Sequence, residues 1–298
     1  MNRANSSIPP ARWPFMHVVG EDGRSVGWVV VHAPITSPSR QELFAAYRRA
    51  GLGFVGMASF MDFPRRQRPD PLDYAAICEG WCHCFREPDR FLPEGQPRVS
   101  LSLSDFTDPE VVSRERLGAS IGEVPAFDFV FVGADQPWKQ EAKNWPLARR
   151  CIPRLCEALG LRGLVIGAPP GELPPSPRIT AWPRVPWWTF LQVLARARFL
   201  LLPSERDASP RILTEALCLD VPVVVNRAIL GGWKYVDEAT GVFFDGEHDV
   251  VSAVARCLGA PRRPRAWYVG HHGPAWASEV LAGLLRTIDP RVELELEL

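Results

Sequence analysis

The chain has 298 residues, of which 46% are hydrophobic and 23% are charged. This length and composition are typical of a soluble globular protein with one large domain or two domains of ordinary size. Lysine plus arginine and aspartate plus glutamate number 34 each, so the chain carries no net charge. A neutral chain has no global attraction to nucleic acid or to an anionic membrane, and we expect no nucleic-acid partner.

The N-terminal stretch from Met1 to Phe15 lacks the apolar core of a secretory signal peptide. No run approaches the roughly 20 apolar residues that a membrane span needs. Seven cysteines, an odd number in a chain of this size, favour reduced thiols over a disulfide framework. These features predict a cytoplasmic protein without a membrane span.

The first part of the chain predicts a short α/β domain. A continuous apolar run at 27–34 predicts a strand, a helical pattern closed by glycine follows at 39–51, and the residues at 52–60 are apolar again. Further predicted elements are a helix at 73–88, a strand at 98–103 and a helix at 109–120. We place this N-terminal domain at residues 1–125.

The second part repeats the alternation of strands and helices more regularly. Its predicted strands lie at 127–133, 162–167, 199–203, 221–226 and 241–244, and its predicted helices at 142–160, 186–197, 212–219 and 248–259. Nearly continuous apolar strands between helices favour parallel sheets covered on both faces. We place this domain at 126–262. A C-terminal segment at 263–298 follows, and its predicted helix at 274–288 is expected to pack back on the first domain.

The turn that leads into the helix at 212–219 is unusually polar. It carries Glu205, Arg206, Asp207, Ser209, Pro210 and Arg211. Ser209 is a suitable N-cap, and Pro210 fits a first helical turn, where its missing amide costs nothing. The free amides and the positive end of such a helix favour a phosphate group. The alternative is that Ser209 only caps the helix.

Two carboxylates flank this helix start. Asp207 and Glu215 are separated by seven residues, and Glu215 lies one to two turns into the helix. In those positions Glu215 can accept hydrogen bonds from a ribose diol, and Asp207 can reach the hydroxyls of a sugar. The alternative for Glu215 is a solvated helix residue.

Residues 186–244 resemble the donor-binding half of a GT-B glycosyltransferase. The order of its segments is similar to that in the retaining, glycogen-synthase-like enzymes of family 4. The segments are ARFLLLPS, then two acids with seven residues between them that end in TEAL, then DVPVVV and LGGWKYVDEATGVFF. In that family the first acid contacts the donor sugar, the second acid contacts the ribose, and the turn between them contacts the diphosphate. The resemblance implies these roles for Asp207, Glu215 and residues 209–211, and Asp207, beside the donor sugar, is also a candidate catalytic residue.

Two departures leave the stereochemistry open. Asp207 stands where a glutamate is usual, and Ser-Pro-Arg stands where Phe-Gly is usual. DASPRILTEAL is similar instead to the exostosin-like inverting enzymes, where Ser-Pro-Arg followed by a glutamate and Pro-Val is typical. The two resemblances agree on the fold and on the class of donor, and they differ on whether the anomeric configuration is retained or inverted.

The resemblance implies an α/β GT-B fold, in which two Rossmann-like domains with parallel sheets face a central cleft. The first domain would be the acceptor side and the second the donor-binding side. The implied activity is transfer of a sugar from a nucleoside diphosphate sugar, with uridine as the expected nucleoside, to a hydroxyl of a glycan or other acceptor. No metal and no cofactor beyond the nucleotide sugar is implied. Two alternatives are a non-catalytic nucleotide- or carbohydrate-binding protein and a nucleotide-sugar epimerase of the same fold.

Two further loops supply candidate donor-binding residues. Gly231 and Gly232 let a backbone approach a ligand, and Lys234 adds a charge suited to phosphate. Lys143 resembles the lysine that neutralises the diphosphate in the first donor-domain loop of this fold, and Lys139 and Arg149 are nearby alternatives. The arginine usual in that loop is Ala134 here. The alternatives are a tight turn and solvated lysines.

A catalytic base for an inverting transfer would come from loops after strands of the first domain. Asp62 and Asp105 are the carboxylates placed there, although each is also a common turn residue and a retaining enzyme would need neither. Cys78, Cys82 and Cys84 lack the paired spacing of a zinc site, so we predict buried thiols and no metal.

Overall fold

The computed structural model describes residues 8–58, 63–64, 72–133, 136–169 and 171–292. It divides into two compact units, the first formed by Met1–Ser102 with Ala275–Leu298 and the second by Leu103–Pro274. The chain therefore passes between the units twice.

The elements of both units are numbered here in chain order. The strands are β1 (Phe15–Val19), β2 (Ser25–Val31), β3 (Gly53–Ala58), β4 (Gly80–His83), β5 (Arg98–Ser100), β6 (Phe129–Val132), β7 (Gly163–Ile166), β8 (Ile179–Trp182), β9 (Phe199–Leu202), β10 (Val223–Asn226) and β11 (Gly241–Phe244). The α-helices are α1 (Pro38–Arg49), α2 (Tyr74–Ile77), α3 (Arg114–Leu117), α4 (Pro137–Ala142), α5 (Trp145–Ala158), α6 (Trp187–Ala195), α7 (Arg211–Cys218), α8 (Val250–Leu258), α9 (Pro264–His271) and α10 (Pro274–Ile288). No helix in the described ranges combines the length and the apolar character that crossing a bilayer requires.

The first unit contains a five-stranded sheet in the order β1-β2-β3-β4-β5. β1 is antiparallel to β2, and the remaining neighbours are parallel. The helix predicted at 73–88 is wrong, because the chain forms only the single turn α2 and then enters β4. Every residue of β4 is buried, with Trp81 opposite Gly56 and Cys82 opposite Met57. A strand buried on both faces shows no alternation, so its apolar run cannot be distinguished from a buried helix by periodicity.

The second unit contains a six-stranded, fully parallel sheet in the order β11-β10-β9-β6-β7-β8. One face packs on α6, α7 and α9, and the other face packs on α5 and α8. Alternate strand residues supply the two cores, as with Val130 and Leu200 on one face and Phe129 and Phe199 on the other. The prediction of an α/β fold with parallel strands covered on both faces is confirmed.

The strand order creates a reversal beside β6. After β6 the chain continues to β7 and β8 on one side, and it then crosses to β9, β10 and β11 on the other side. The loops that follow β6 and β9 consequently diverge at the carboxyl edge of the sheet. In open α/β sheets such a switch point leaves a crevice in which ligands bind.

The division between the units differs from the predicted boundary at residue 125. Residues 103–125 belong to the second unit, because Val112 and Leu117 are buried in the core beneath α6 and α7. In the same segment the Arg114 Nε donates to the Leu219 carbonyl at 2.9 Å. The helix α9 also belongs to the second unit, whereas α10 belongs to the first.

Candidate functional site

Three loops of the second unit meet at the carboxyl edge of its sheet. They follow β6, β9 and β10, which are neighbours in the order β10-β9-β6. The polar residues of these loops include most of the candidates singled out in the sequence, and side-chain contacts join the loops to one another.

A charged pair links the loop after β6 to the loop after β9. α4 ends at Ala142, and Asn144 adopts a left-handed conformation with a φ of 51° before its side chain caps α5. This break projects Lys143 from between the two helices, and its Nζ donates to Oδ2 of Asp207. The side chains are only 22% and 14% exposed. The structure thus brings two predicted donor-binding residues together at the switch point.

A second set of contacts surrounds Glu205 in the same turn. Asn144 Nδ2 donates to Oε1 of Glu205 at 2.8 Å, and Asn226 Nδ2, at the end of β10, lies 3.4 Å from the same oxygen. Ser204 is fully buried, and its hydroxyl has no hydrogen-bond partner within the described ranges. Glu205, Asn226 and Ser204 were assigned no role from the sequence, because their partners are distant along the chain.

The turn before α7 differs from its predicted geometry. The N-cap position is Pro210, with a φ of −75° and a ψ of 83°, and Ser209 does not cap the helix. Its hydroxyl instead accepts from the Ser104 amide at 3.0 Å and lies 2.9 Å from the Ser104 hydroxyl. The Ser209 side chain is therefore occupied by a residue 105 positions earlier, while Arg211 at the start of α7 remains exposed.

Glu215 lies on α7, half-buried, and accepts a hydrogen bond of 2.8 Å from the indole nitrogen of Trp187. Burial raises the pKa of its carboxyl group, and the Trp187 hydrogen bond and the charges of Arg211 and Lys143 oppose that rise. Trp187 begins α6 and is 47% exposed. A carboxylate whose burial opposes its charge is a typical feature of functional sites. Trp187 was not singled out by the sequence pattern, since an aromatic residue at a helix start gives no local signal.

We expect Glu215→Gln to raise the melting temperature at pH 7. The raised pKa means that the folded protein binds the Glu215 proton more tightly than the unfolded chain does. The free energy of unfolding therefore falls as the pH rises from about the ordinary pKa of 4.5 through the raised pKa. Glutamine removes that loss and can still accept from Trp187. Melting curves from pH 3 to 8 should show that the difference in melting temperature between the variant and the native protein disappears below pH 4.5. A gap that stays constant across this range would contradict the assignment.

The glycine loop after β10 is attached to the same turn. The Gly231 amide donates to the Asp207 carbonyl at 3.0 Å, and the Leu230 amide donates to the Glu205 carbonyl at 2.7 Å. Gly232 has a φ of +81°, and a Cβ atom there would lie 2.6 Å from Cγ of Pro210. Backbone hydrogen bonds thus join this loop to the acidic turn, and their close approach depends on glycine at position 232.

Asp105 lies in a different setting from the predicted one. It belongs to the second unit, not to a loop of the first, and its side chain is fully buried. Lys234 Nζ donates to its Oδ2 at 2.8 Å, and Nδ1 of His272 lies 3.1 Å from its Oδ1. A carboxylate enclosed between two basic groups is not placed to take a proton from an acceptor. Asp62, the other predicted candidate, lies outside the described residues.

Cys78, Cys82 and Cys84 of the first unit are buried free thiols, as predicted, and Cys82 lies in β4. Within the described ranges no group of three or more histidine, cysteine, aspartate or glutamate side chains is arranged to hold a metal ion.

The lysines are distributed unevenly. The chain has three, Lys139, Lys143 and Lys234, so 34 minus 3, or 31, of its basic residues are arginines. All three lysines lie in the segments that follow β6 and β10, where the candidate site is. Two of them, Lys143 and Lys234, make ion pairs there with the carboxylates of Asp207 and Asp105. This bias is visible in the sequence and supports the placement of the site.

The chain matches no protein-family model and no curated protein sequence. It is similar in structure to a glycosyltransferase from Rickettsia africae, with a TM-score of 0.59, 11% identity, and coverage of 87% of this chain and 76% of the other. It is also similar to sucrose-phosphate synthase from Thermosynechococcus elongatus, with a TM-score of 0.58, 12% identity, and coverage of 87% and 73%.

A third similar structure is the UDP-GlcNAc 2-epimerase of Methanocaldococcus jannaschii in complex with UDP-GlcNAc and UDP. Its TM-score is 0.54 at 14% identity, with coverage of 88% of this chain and 76% of the other. Identities this low establish the fold and not the activity. The chain has the α/β fold of the GT-B glycosyltransferases, as its sequence motifs implied.

Proposed function

We propose that the chain is a glycosyltransferase that moves a sugar from a nucleoside diphosphate sugar, with uridine as the nucleoside, to a hydroxyl of a glycan or other acceptor. The observation that carries this function is the pairing of Lys143 with Asp207 at the switch point of the sheet. This is where open α/β sheets bind ligands, and the pair offers one group to a phosphate and one to sugar hydroxyls.

Each residue of the site has a distinct task in this reaction. Lys143 and Arg211, with the start of α7, face the diphosphate, and Glu215 accepts from the ribose hydroxyls. The bond between the anomeric carbon and the diphosphate breaks, and its electron pair stays on the phosphate oxygen. The acceptor oxygen forms the new bond to the anomeric carbon, and its proton is released to solvent.

Lys143 and Arg211 oppose the charge that develops on the leaving diphosphate. Preorganised cationic groups are worth most where charge develops during the reaction, and with them a divalent metal is not required. In the structure the ammonium group of Lys143 is paired with the carboxylate of Asp207. Donor binding would exchange this ion pair for two new contacts, from the ammonium group to phosphate and from sugar hydroxyls to the carboxylate.

An epimerase is the second candidate, and one observation favours it. A UDP-GlcNAc 2-epimerase is among the similar structures, with a TM-score of 0.54. An epimerase would use the same nucleotide site but would need no acceptor. The two functions differ in their products and can therefore be separated by one assay.

A thermal-shift panel of UDP, UDP-sugars and the corresponding guanosine and adenosine compounds, each with and without EDTA, tests the proposed function. We expect UDP and a UDP-sugar to raise the melting temperature in EDTA, because a ligand at 100 times its Kd stabilises a protein by about 2.7 kcal/mol. Incubation with the stabilising donor should then release UDP slowly by hydrolysis.

Each of the other outcomes of this panel would lead to a different conclusion about function. Absence of any shift at millimolar nucleotide would overturn the proposed function. Conversion of one UDP-sugar into another without UDP release would assign an epimerase. Stabilisation without release or conversion would assign a binding protein, and stabilisation that EDTA abolishes would show that a metal takes part.

A further inference from the structure

The fully buried carboxylate Asp105 takes no part in the proposed transfer, yet it contacts one of the site loops. It lies in the short 3-10 helix Leu103–Phe106, immediately after the chain enters the second unit. Lys234 Nζ donates to its Oδ2 at 2.8 Å. A buried carboxylate needs such a partner, because an uncompensated charge in the interior costs several kcal/mol.

The segment that carries Asp105 is itself held in place. Tyr268 of α9 donates its hydroxyl to the carbonyl groups of Ser104 and Thr107, at 3.2 and 3.1 Å. The hydroxyl groups of Thr107 and Thr214 share a hydrogen bond of 2.7 Å, which fastens the segment to α7. The backbone around Asp105 is thus held by several hydrogen bonds, whereas the Lys234 side chain that reaches Asp105 has four rotatable bonds.

Two parts of the candidate donor site are anchored on this segment. Ser104 holds Ser209 in the turn before α7, and Asp105 holds Lys234 in the glycine loop after β10. The turn and the loop are also joined directly through the Gly231 amide and the Asp207 carbonyl. Residues 104 and 105 therefore contact both the turn and the loop.

We propose that Asp105 is a positioning residue, which acts through Lys234 to hold the glycine loop in the geometry that binds the nucleotide diphosphate. This role rests on the proposed function and adds to it a residue that touches no substrate. It also replaces the role of catalytic base that the sequence suggested. Asp105 contacts Lys234 through Oδ2 at 2.8 Å, and Nδ1 of His272 lies 3.1 Å from its Oδ1, so the test reads the Lys234 contact separately through a Lys234 variant.

The test uses Asp105→Asn, Lys234→Met and the double variant, with the Kd of UDP measured by calorimetry. Asparagine has the size of aspartate but does not fix an ammonium group by charge. We expect each single variant to raise the Kd about tenfold, and the double variant to raise it no further, since contacting residues that act as one unit are not additive. The matched control is Ser113→Ala, which removes a buried helix cap in the same unit and should lower stability without changing the Kd.

A second readout does not depend on the ligand. Because the chain has only three lysines, acetylation of each ammonium group can be followed by mass spectrometry, with Lys139 as the internal reference. Lys234 should react more slowly than Lys139 in the native protein and several times faster after Asp105→Asn. If that variant does not fold, Tyr268→Phe removes the hydroxyl that holds the segment, and it should change both readouts in the same direction.

Additive effects of the two single variants on the Kd, or a lower melting temperature with an unchanged Kd, would overturn the positioning role while leaving the proposed function intact. An unchanged Lys234 reactivity in both Asp105→Asn and Tyr268→Phe would overturn it as well. If the native protein binds no UDP, the proposed function fails first and the positioning role falls with it.

Discussion

Replacing Lys143 with methionine is expected to lower the rate of donor turnover by about 100-fold or more, the usual effect of removing one group that stabilises a developing negative charge. Methionine has nearly the length of the lysine stem but cannot donate to a phosphate oxygen. The ammonium group of Lys143 contacts Asp207 at the switch point, so its loss would remove the charge to which the proposed function assigns the diphosphate. The measurement is UDP release from the UDP-sugar that stabilises the protein most.

Lys139→Met is the matched control for this substitution. Lys139 lies one helical turn earlier, on α4, and its ammonium group lies 5.6 Å from the ring centroid of Trp138. The control removes the same charge from the same segment, so a loss of long-range attraction would affect both variants equally. Equal rates in the two variants would remove Lys143 from the site.

Gly232→Ala is expected to disrupt nucleotide binding more than any other single-methyl change in the candidate site. Gly232 has a φ of +81°, which a residue with a Cβ adopts at a cost of about 1–3 kcal/mol. The new methyl group would also lie 2.6 Å from Cγ of Pro210, the N-cap residue of α7, and 3.3 Å from Cδ1 of Leu213. Relief of these contacts must move either the glycine loop or the turn. We expect a weaker UDP complex, with a Kd raised about tenfold or more.

The control for backbone strain is Gly171→Ala. Gly171 has a φ of +76° in the same unit, but a Cβ there would meet nothing within 4 Å. Both variants should lose stability in chemical denaturation, and only Gly232→Ala should lose affinity for UDP. A native Kd in Gly232→Ala would show that the loop does not shape the nucleotide site.

The prediction for Glu215→Gln complements these two. Lys143 and Gly232 variants should lose function, whereas removal of the Glu215 charge should increase stability at neutral pH because burial opposes that charge. A polar residue whose removal makes the protein more stable is kept for function and not for folding. The same variant is expected to bind UDP less tightly, since a neutral amide accepts weakly from ribose hydroxyls.

Much of the fold was predictable because it depends on the pattern of apolar residues over short stretches of the chain. Nearly continuous apolar strands alternating with helices indicated parallel sheets, and α10 lies at the predicted residues 274–288. β4 was missed because its residues are buried on both faces, and β1 was missed because its antiparallel partner lies across a turn that the apolar pattern does not mark. Burial on two faces and pairing across the chain are tertiary properties, so periodicity does not report them.

The sequence by itself determined the alternation of the second unit, the spacing of Asp207 and Glu215 around a helix start, and the glycines and lysines of the neighbouring loops. Those features depend on residues within one or two turns of each other, where propensity and capping act. The tertiary structure alone decided that Lys143 meets Asp207, 64 residues away, that Ser209 bonds Ser104 and not its own helix, and that Asp105 is buried beside Lys234. These pairings follow from the position of β6 beside β9 and from the burial of residues 103–125 with α7. Contacts of that kind depend on strand order and on the closing of long loops, and no local pattern encodes them.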